Sequence, residues 1–192
     1  MPRFTRADLE SFRDATVADL LPPRGVELKL LFVGINPGLW TAATQTHFAH
    51  PGNRFYPALS MAGIIGRPID PAAGMTDADR DHLTSRGIGI TNISPRATAR
   101  ADELTDEELR GGGQRLEALI ERARPRVVAL AGITAYRIAF GRRKAQLGRQ
   151  AETLGGAELW VVPNPSGLNA HETVSSLATA YAAAARAAGV IS

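Results

Sequence analysis

The chain has 192 residues, a formal net charge of +3 and 44% hydrophobic residues, the length and apolar content of one globular domain with its own core. It contains no cysteine, which excludes disulfides, thiol nucleophiles, Cys-ligated zinc and iron–sulfur clusters together. No apolar run approaches the roughly 18 residues of a membrane helix, and Met1-Pro2-Arg3-Phe4-Thr5-Arg6 leads into a charged amphipathic stretch instead of an apolar signal core, so a cytoplasmic protein without membrane contact is expected.

Taken in order, Thr5 to Leu20 reads as an amphipathic helix. Thr5 is its N-cap with Asp8 three places on, Leu9, Phe12, Val17 and Leu20 face a core, and Pro22-Pro23 ends it. The near-continuous apolar run Leu28 to Val33 suits a buried strand of a parallel sheet. Residues 35–54 form a long loop, often functional in a compact domain. Helices follow over Asn53 to Ala62 and Thr76 to Ser85, then a strand over Ile88 to Ile93. Thr105-Asp106-Glu107-Glu108 is a capping box opening a helix that runs to Ala123, with an interruption expected at Gly111-Gly112-Gly113. A third strand covers Arg126 to Ala131, a short helix Thr134 to Phe140, a fourth strand Leu159 to Val162, and an Ala-rich helix His171 to Ala188.

Strands alternating with helices predict a three-layer α/β/α domain around a short central parallel sheet, with right-handed crossovers. No repeat or linker divides the chain, so residues 1–192 are read as one domain with residues 1–24 as a helical extension. The sequence pI is about 9.8, and the basic residues cluster. Arg137, Arg142, Arg143, Lys144 and Arg149 form one group without an acid among them, and Arg122, Arg124 and Arg126 form another. Such groups favour polyanions, and a solvated face carries the same pattern.

Function concentrates in the segments that follow the strands, because ligands of open α/β sheets bind at the carboxyl ends of the strands. Gly34-Ile35-Asn36-Pro37-Gly38 follows the first strand and Asn164-Pro165-Ser166-Gly167-Leu168-Asn169 the last. Asn92 ends the second, so Asn36, Asn92 and Asn164 share one rim. The first segment lacks the Lys-Ser/Thr of a phosphate loop and the spaced glycines of a dinucleotide fingerprint. Alone it is a turn. His47 and His50, three apart with no acidic neighbour, make a poor metal site or general acid; His50 is expected to hold its loop by hydrogen bonds. No cofactor is implied.

Together with His47-Phe48-Ala49-His50-Pro51-Gly52-Asn53-Arg54-Phe55, these segments carry a resemblance. Gly-Ile-Asn-Pro-Gly, Phe-Ala-His-Pro-x-Asn-Arg-Phe and Asn-Pro-Ser-Gly-Leu appear in order over approximately residues 27–186. The chain resembles the mismatch-specific uracil-DNA glycosylases, relatives of thymine-DNA glycosylase in the uracil-DNA glycosylase superfamily. The resemblance implies excision of uracil, notably opposite guanine, from double-stranded DNA, without metal or cofactor, by a monomer associated with the nucleoid.

The chemistry fits the residue types. Cleaving an N-glycosidic bond leaves positive charge on the sugar and negative charge on the base, so a water must sit below C1′ and donors must meet the uracil oxygens. By resemblance Asn36 positions that water. Backbone N–H groups from Ile35 through Thr41 meet the leaving base; Pro37 has none to offer and Gly38 permits close approach. Phe48 stacks on the flipped base, Phe55 is core, and Thr41 lies near the C5 edge. Asn92, where some members carry Lys, matches uracil N3–H and O4 with its amide. Gly167-Leu168-Asn169 resembles a wedge that fills the hole left in the duplex, with Asn164 and Ser166 in the same DNA-binding segment. Trp40 departs from the family pattern, and Ala170 stands where an Arg is frequent. Two other readings stay open at this stage: a module that binds damaged DNA without cutting it, and a nucleotide-binding α/β protein.

Overall fold

The computed structural model describes residues 4–192; the expectation about the first three residues lies outside them. Its centre is a five-stranded sheet: β1 (Leu30–Gly34), β2 (Ile88–Asn92), β3 (Val127–Ala131), β4 (Gly148–Leu154) and β5 (Ala157–Val162), in the order β2-β1-β3-β5-β4. β2, β1, β3 and β5 run parallel, as their apolar runs predict, and β4 is antiparallel to β5. The expected parallel strands form the body of the sheet, and β4 adds an antiparallel edge that makes it mixed. β4 escapes an apolar-run search because its residues, Gly-Arg-Gln-Ala-Glu-Thr-Leu, are largely polar and alternate between exposed and half-buried. Gly155 and Gly156, both at positive φ, form the two-residue turn that joins it to β5.

The alternating side chains of each strand build two cores. Leu30, Phe32, Ile90 and Ala129 face α3 (Phe55–Met61), α4 (Asp77–Thr84) and α7 (Val174–Ala187). Leu31, Val33, Val128 and Leu130 face α5 (Asp106–Ala123) and α6 (Ile133–Ala139). This is the three-layer α/β/α arrangement. The expected break in α5 does not occur. A Cβ at Gly112 would lie 2.4 Å from the Ile93 carbonyl oxygen and one at Gly113 2.9 Å from the Ala139 oxygen, so these two glycines let the helix touch the chain leaving β2 and α6 and do not end it.

The N-terminal helix is shorter than expected. Thr5 and Asp8 form the capping box, but α1 is Arg6–Glu10. The chain turns at Asp14, with φ of 64°, and continues extended until Leu20 exchanges backbone hydrogen bonds with Ile90 at 2.9 and 2.7 Å. The physical reason is the open edge of β2, whose backbone groups need partners. Leu9, Phe12 and Val17 pack with Leu39, Ala42 and Ala97, and Leu20 against the first core. The long loop holds a further helix, α2 (Leu39–Thr44). The last helix begins later than expected, with Thr173 as its N-cap. No helix among the described residues is long and apolar enough to cross a membrane.

Candidate functional site

The connection after β1 leads toward β2, and the one after β3 leads the other way, toward β5. A crevice opens where the two diverge. There a pocket of about 470 Å³ is lined by Gly34, Ile35, Asn36, Asn92, Ala131 and Asn164 from the strand ends, by residues 38–41 of the α2 turn, and by Phe48. Arg6, Leu9 and Glu10 of α1 form part of its wall. The structure thus brings the three asparagines to one rim and adds the N-terminal helix to it.

Asn36 is half-buried, and its amide nitrogen has three acceptors: Thr98 Oγ1 at 2.7 Å, Arg96 O at 3.0 Å and Pro37 O at 3.2 Å. Thr98 donates its own hydroxyl hydrogen to Arg100 O at 2.7 Å, so toward Asn36 it can only accept. The nitrogen end is committed to protein, and Oδ1 is left for the pocket. The segment that holds it is itself pinned: Arg96 bonds Glu108 at 2.6 Å and Asp14 at 3.0 Å. Arg96 holds the Glu108 carboxyl down at about 2.

The rest of the 35–41 turn presents backbone. Ile35 O accepts from Ser94 N at 2.9 Å, while its side chain faces Gly132. Gly38 caps α2 without a side-chain hydrogen bond, leaving the first-turn N–H groups without intrahelical partners. Its φ of −75° suits any residue, and a Cβ there would meet nothing within 4 Å. Neither backbone nor packing demands glycine at 38; only an occupant of the pocket would. Thr41 is buried, and its hydroxyl accepts weakly from Ala49 N at 3.4 Å. Trp40, whose effect the sequence does not define, donates to Ala72 O at 2.9 Å and meets Phe4 and His50 edge-on. His50 does hold its loop, accepting from Gly52 N at 3.0 Å.

Phe48 lies flat on Phe55, centroids 4.1 Å apart. Phe55 is fully buried, as its assignment to the core predicts. Phe48 is half-exposed toward the pocket and sits at φ of 56°, a left-handed conformation that costs a phenylalanine roughly 1–2 kcal/mol. Asn92 lies across from it, its Nδ2 3.2 Å from His47 Nδ1. A Cβ on Gly34 would sit 2.5 Å from Asn92 Oδ1 and 3.2 Å from the Phe48 ring. Glycine at 34 is what lets both side chains close on the same floor.

The segment after β5 is a web of internal bonds. Asn164 Oδ1 accepts from Ser166 N, Ser166 Oγ from Leu168 N, and Asn169 Nδ2 donates to Asn164 O. The side chains of Asn164, Ser166 and Asn169 thus shape the loop. Gly167 passes against the chain of Gly52, where a Cβ would lie 2.7 Å from the Gly52 oxygen. Leu168 is 82% exposed, at the tip. Arg54 anchors the whole: its guanidinium donates to the carbonyls of Ser166, Asn169 and Glu172, and its backbone N–H to Pro165 O.

Neither basic group lines the pocket. Arg142, Arg149 and Arg126 pair with Glu152, Glu158 and Glu27, and Arg137 binds Ala145 O. Among the described residues no three His or acidic side chains converge as metal ligands. Sequence reasoning missed Thr98, Arg54 and α1, and it considered His47 only as a ligand or acid. Thr98 lies well beyond the end of β2, whereas Asn36 follows β1 directly, so position alone does not single it out. Arg54 and His47 act through folded contacts across 112 and 45 residues of chain respectively, and no local pattern announces those.

The α/β/α layers agree with one comparison. Residues 22–186 match the sequence model of the Uracil DNA glycosylase superfamily, whose members hydrolyse N-glycosidic bonds in uracil-containing DNA during base excision repair. The match covers most of the chain, which therefore belongs to the uracil DNA glycosylase superfamily.

Proposed function

We propose that this protein is a monofunctional uracil-DNA glycosylase of the mismatch-specific type, acting as a monomer on uracil opposite guanine after the nucleotide flips out of the duplex. The observation that carries the proposal is the Asn36 amide, its nitrogen bound to Thr98, Arg96 and Pro37 and its oxygen left to the pocket.

In this reading Asn36 Oδ1 accepts a hydrogen bond from a water below C1′. An amide oxygen orients water but is a very poor base, so the C1′–N1 bond opens first. Its electron pair leaves with the uracil, and the water oxygen then bonds to the cationic sugar. Once bonded, the water is acidic and releases its proton to solvent, and the departing uracil anion takes one up from solvent. The leaving anion is met by the uncapped N–H groups of the α2 turn and by the Asn92 amide. Phe48, backed by Phe55, stacks on the base, a contact worth roughly 1–3 kcal/mol. Leu168, held out by the Arg54-anchored loop, fills the vacated stack. The protein works in the cytoplasm on nucleoid DNA and needs no metal.

Single-turnover incubation with duplex containing uracil opposite guanine or adenine, in excess EDTA, tests this. The expected result is free uracil plus an abasic strand, faster opposite guanine. Tight binding without release would make the protein a reader of damage. Release restored only by a divalent ion would overturn the metal-free mechanism.

A further inference from the structure

His47 is only 5% exposed, and each of its ring nitrogens has one neighbour. Nε2 is 3.0 Å from Ala18 O, and Nδ1 is 3.2 Å from the Asn92 amide. The Tyr56 hydroxyl donates to the His47 carbonyl at 3.0 Å and fixes the backbone beneath. A carbonyl oxygen only accepts, so Nε2 carries the proton. Burial lowers the imidazole's affinity for a second proton, so the ring is neutral and Nδ1 is an acceptor. An acceptor must face a donor, and the Asn92 atom against it is therefore Nδ2. That turns Oδ1 toward Gly34 and the pocket, where the missing Cβ leaves it room.

We infer that His47 is a positioning residue that sets which bases the pocket accepts, by locking the Asn92 amide with its oxygen presented to a pyrimidine N3–H. The inference rests on Asn92 reading the base edge, as in the proposed function. Uracil offers a donor at N3 and an acceptor at O4. The locked amide meets the first with Oδ1 and the second with the Nδ2 hydrogen that His47 does not take. Cytosine offers the reverse pattern. To receive it the amide must turn over, which sets Oδ1 against the His47 Nδ1 lone pair: two buried acceptors facing each other with no hydrogen between them. Cytosine is thus opposed by a cost inside the protein as well as by a missing contact.

The test is single-turnover excision from duplexes carrying uracil or 3-deazauracil, in which C–H replaces N3–H. Comparing the ratio of rates across proteins cancels the different leaving-group chemistry. His47→Gln keeps a donor for Ala18 O but leaves nothing at the Nδ1 position, and its uracil-to-3-deazauracil ratio is expected to fall about five- to tenfold, the worth of one oriented hydrogen bond. His47→Asn sets an amide oxygen near the Nδ1 position and is expected to retain the ratio. An unchanged ratio in His47→Gln would overturn the inference while wild-type uracil release upheld the glycosylase reading. If the wild type releases no uracil, the glycosylase reading has failed by itself. A measurement without substitution decides the geometry: long-range 1H–15N NMR of the wild-type ring should show the Nε2–H tautomer, and an Nδ1–H tautomer would overturn the inference even if both variants fail to fold.

Discussion

At the scale of single residues the site works by committing polar groups so that one end of each is left over. Asn36 spends its nitrogen on three protein acceptors, and the shortest of those contacts, to Thr98, comes from a residue 62 positions away. Thr98→Val removes that acceptor without changing the shape of the side chain. Base release should slow by about three- to tenfold, the net worth of a hydrogen bond, and the melting temperature should fall, because Arg100 O also loses its donor. An unchanged single-turnover rate would mean that Arg96 O and Pro37 O suffice to fix the amide. Asn92 is predicted to lose more. Good bidentate contacts discriminate by roughly 1–3 kcal/mol, so Asn92→Ala should lower the uracil excision rate on the order of ten- to a hundredfold. Asn92→Asp should do worse, because a carboxylate has no hydrogen for O4 and repels a developing anion. Wild-type rates from both variants would reduce Asn92 to a strand-end cap.

At the scale of elements, what the sequence made legible follows a physical rule. Strands buried on both faces announce themselves by apolar runs, so β1, β2, β3 and β5 were readable, and with them the loops that carry Asn36, Asn92 and Asn164. Elements stabilised by a neighbour were not. β4 is an edge strand whose polar pattern imitates a loop. The stretch after α1 has helical spacing of apolar residues but is drawn out by the β2 edge. α5 survives its glycines because two of them, Gly112 and Gly113, are where it packs. The loop after β5 shows the same contrast: its motif was visible, whereas the Arg54 anchor required the fold. Leu168 stands out from that anchored loop, 82% exposed. Leu168→Ala is therefore predicted to weaken productive binding of duplex uracil more than excision from single strands, since only a duplex leaves a hole to fill. Equal losses on both substrates in parallel single-turnover titrations would assign Leu168 to another role.

At the scale of the whole molecule, charge governs stability more clearly than it governs the site. Arg126, Arg137, Arg142 and Arg149 of the basic groups are engaged with acids or carbonyls away from the pocket, and the charged side chains that line the pocket itself are Arg6, Glu10 and Arg100. The pH response follows from buried and paired groups. His47, whose pKa burial holds below the ordinary 6.5 despite Asp19 nearby and with Arg80 opposing the charge, is neutral in the fold. Below 6.5 the unfolded chain takes up a proton that the folded one refuses, so stability falls as the medium is acidified. Glu108 acts lower: the stability it gains from Arg96 is present above 4.5 and is lost as pH falls toward about 2. Thermal melts from about pH 8 to about pH 5 should show a declining midpoint in the wild type and a shallower decline in His47→Asn. Identical slopes would show that His47 titrates alike in both states.

The proposed chemistry depends above all on Asn36 directing water at the sugar without holding the DNA. Single-turnover excision and duplex affinity measured together on Asn36→Ala test this most directly. Base release from a uracil·guanine duplex should fall about a hundred- to a thousandfold, the range seen when one oriented catalytic group is removed, with the dissociation constant for that duplex close to the wild-type value. Excision at the wild-type rate, or a loss of binding that by itself accounts for the loss of rate, would contradict it.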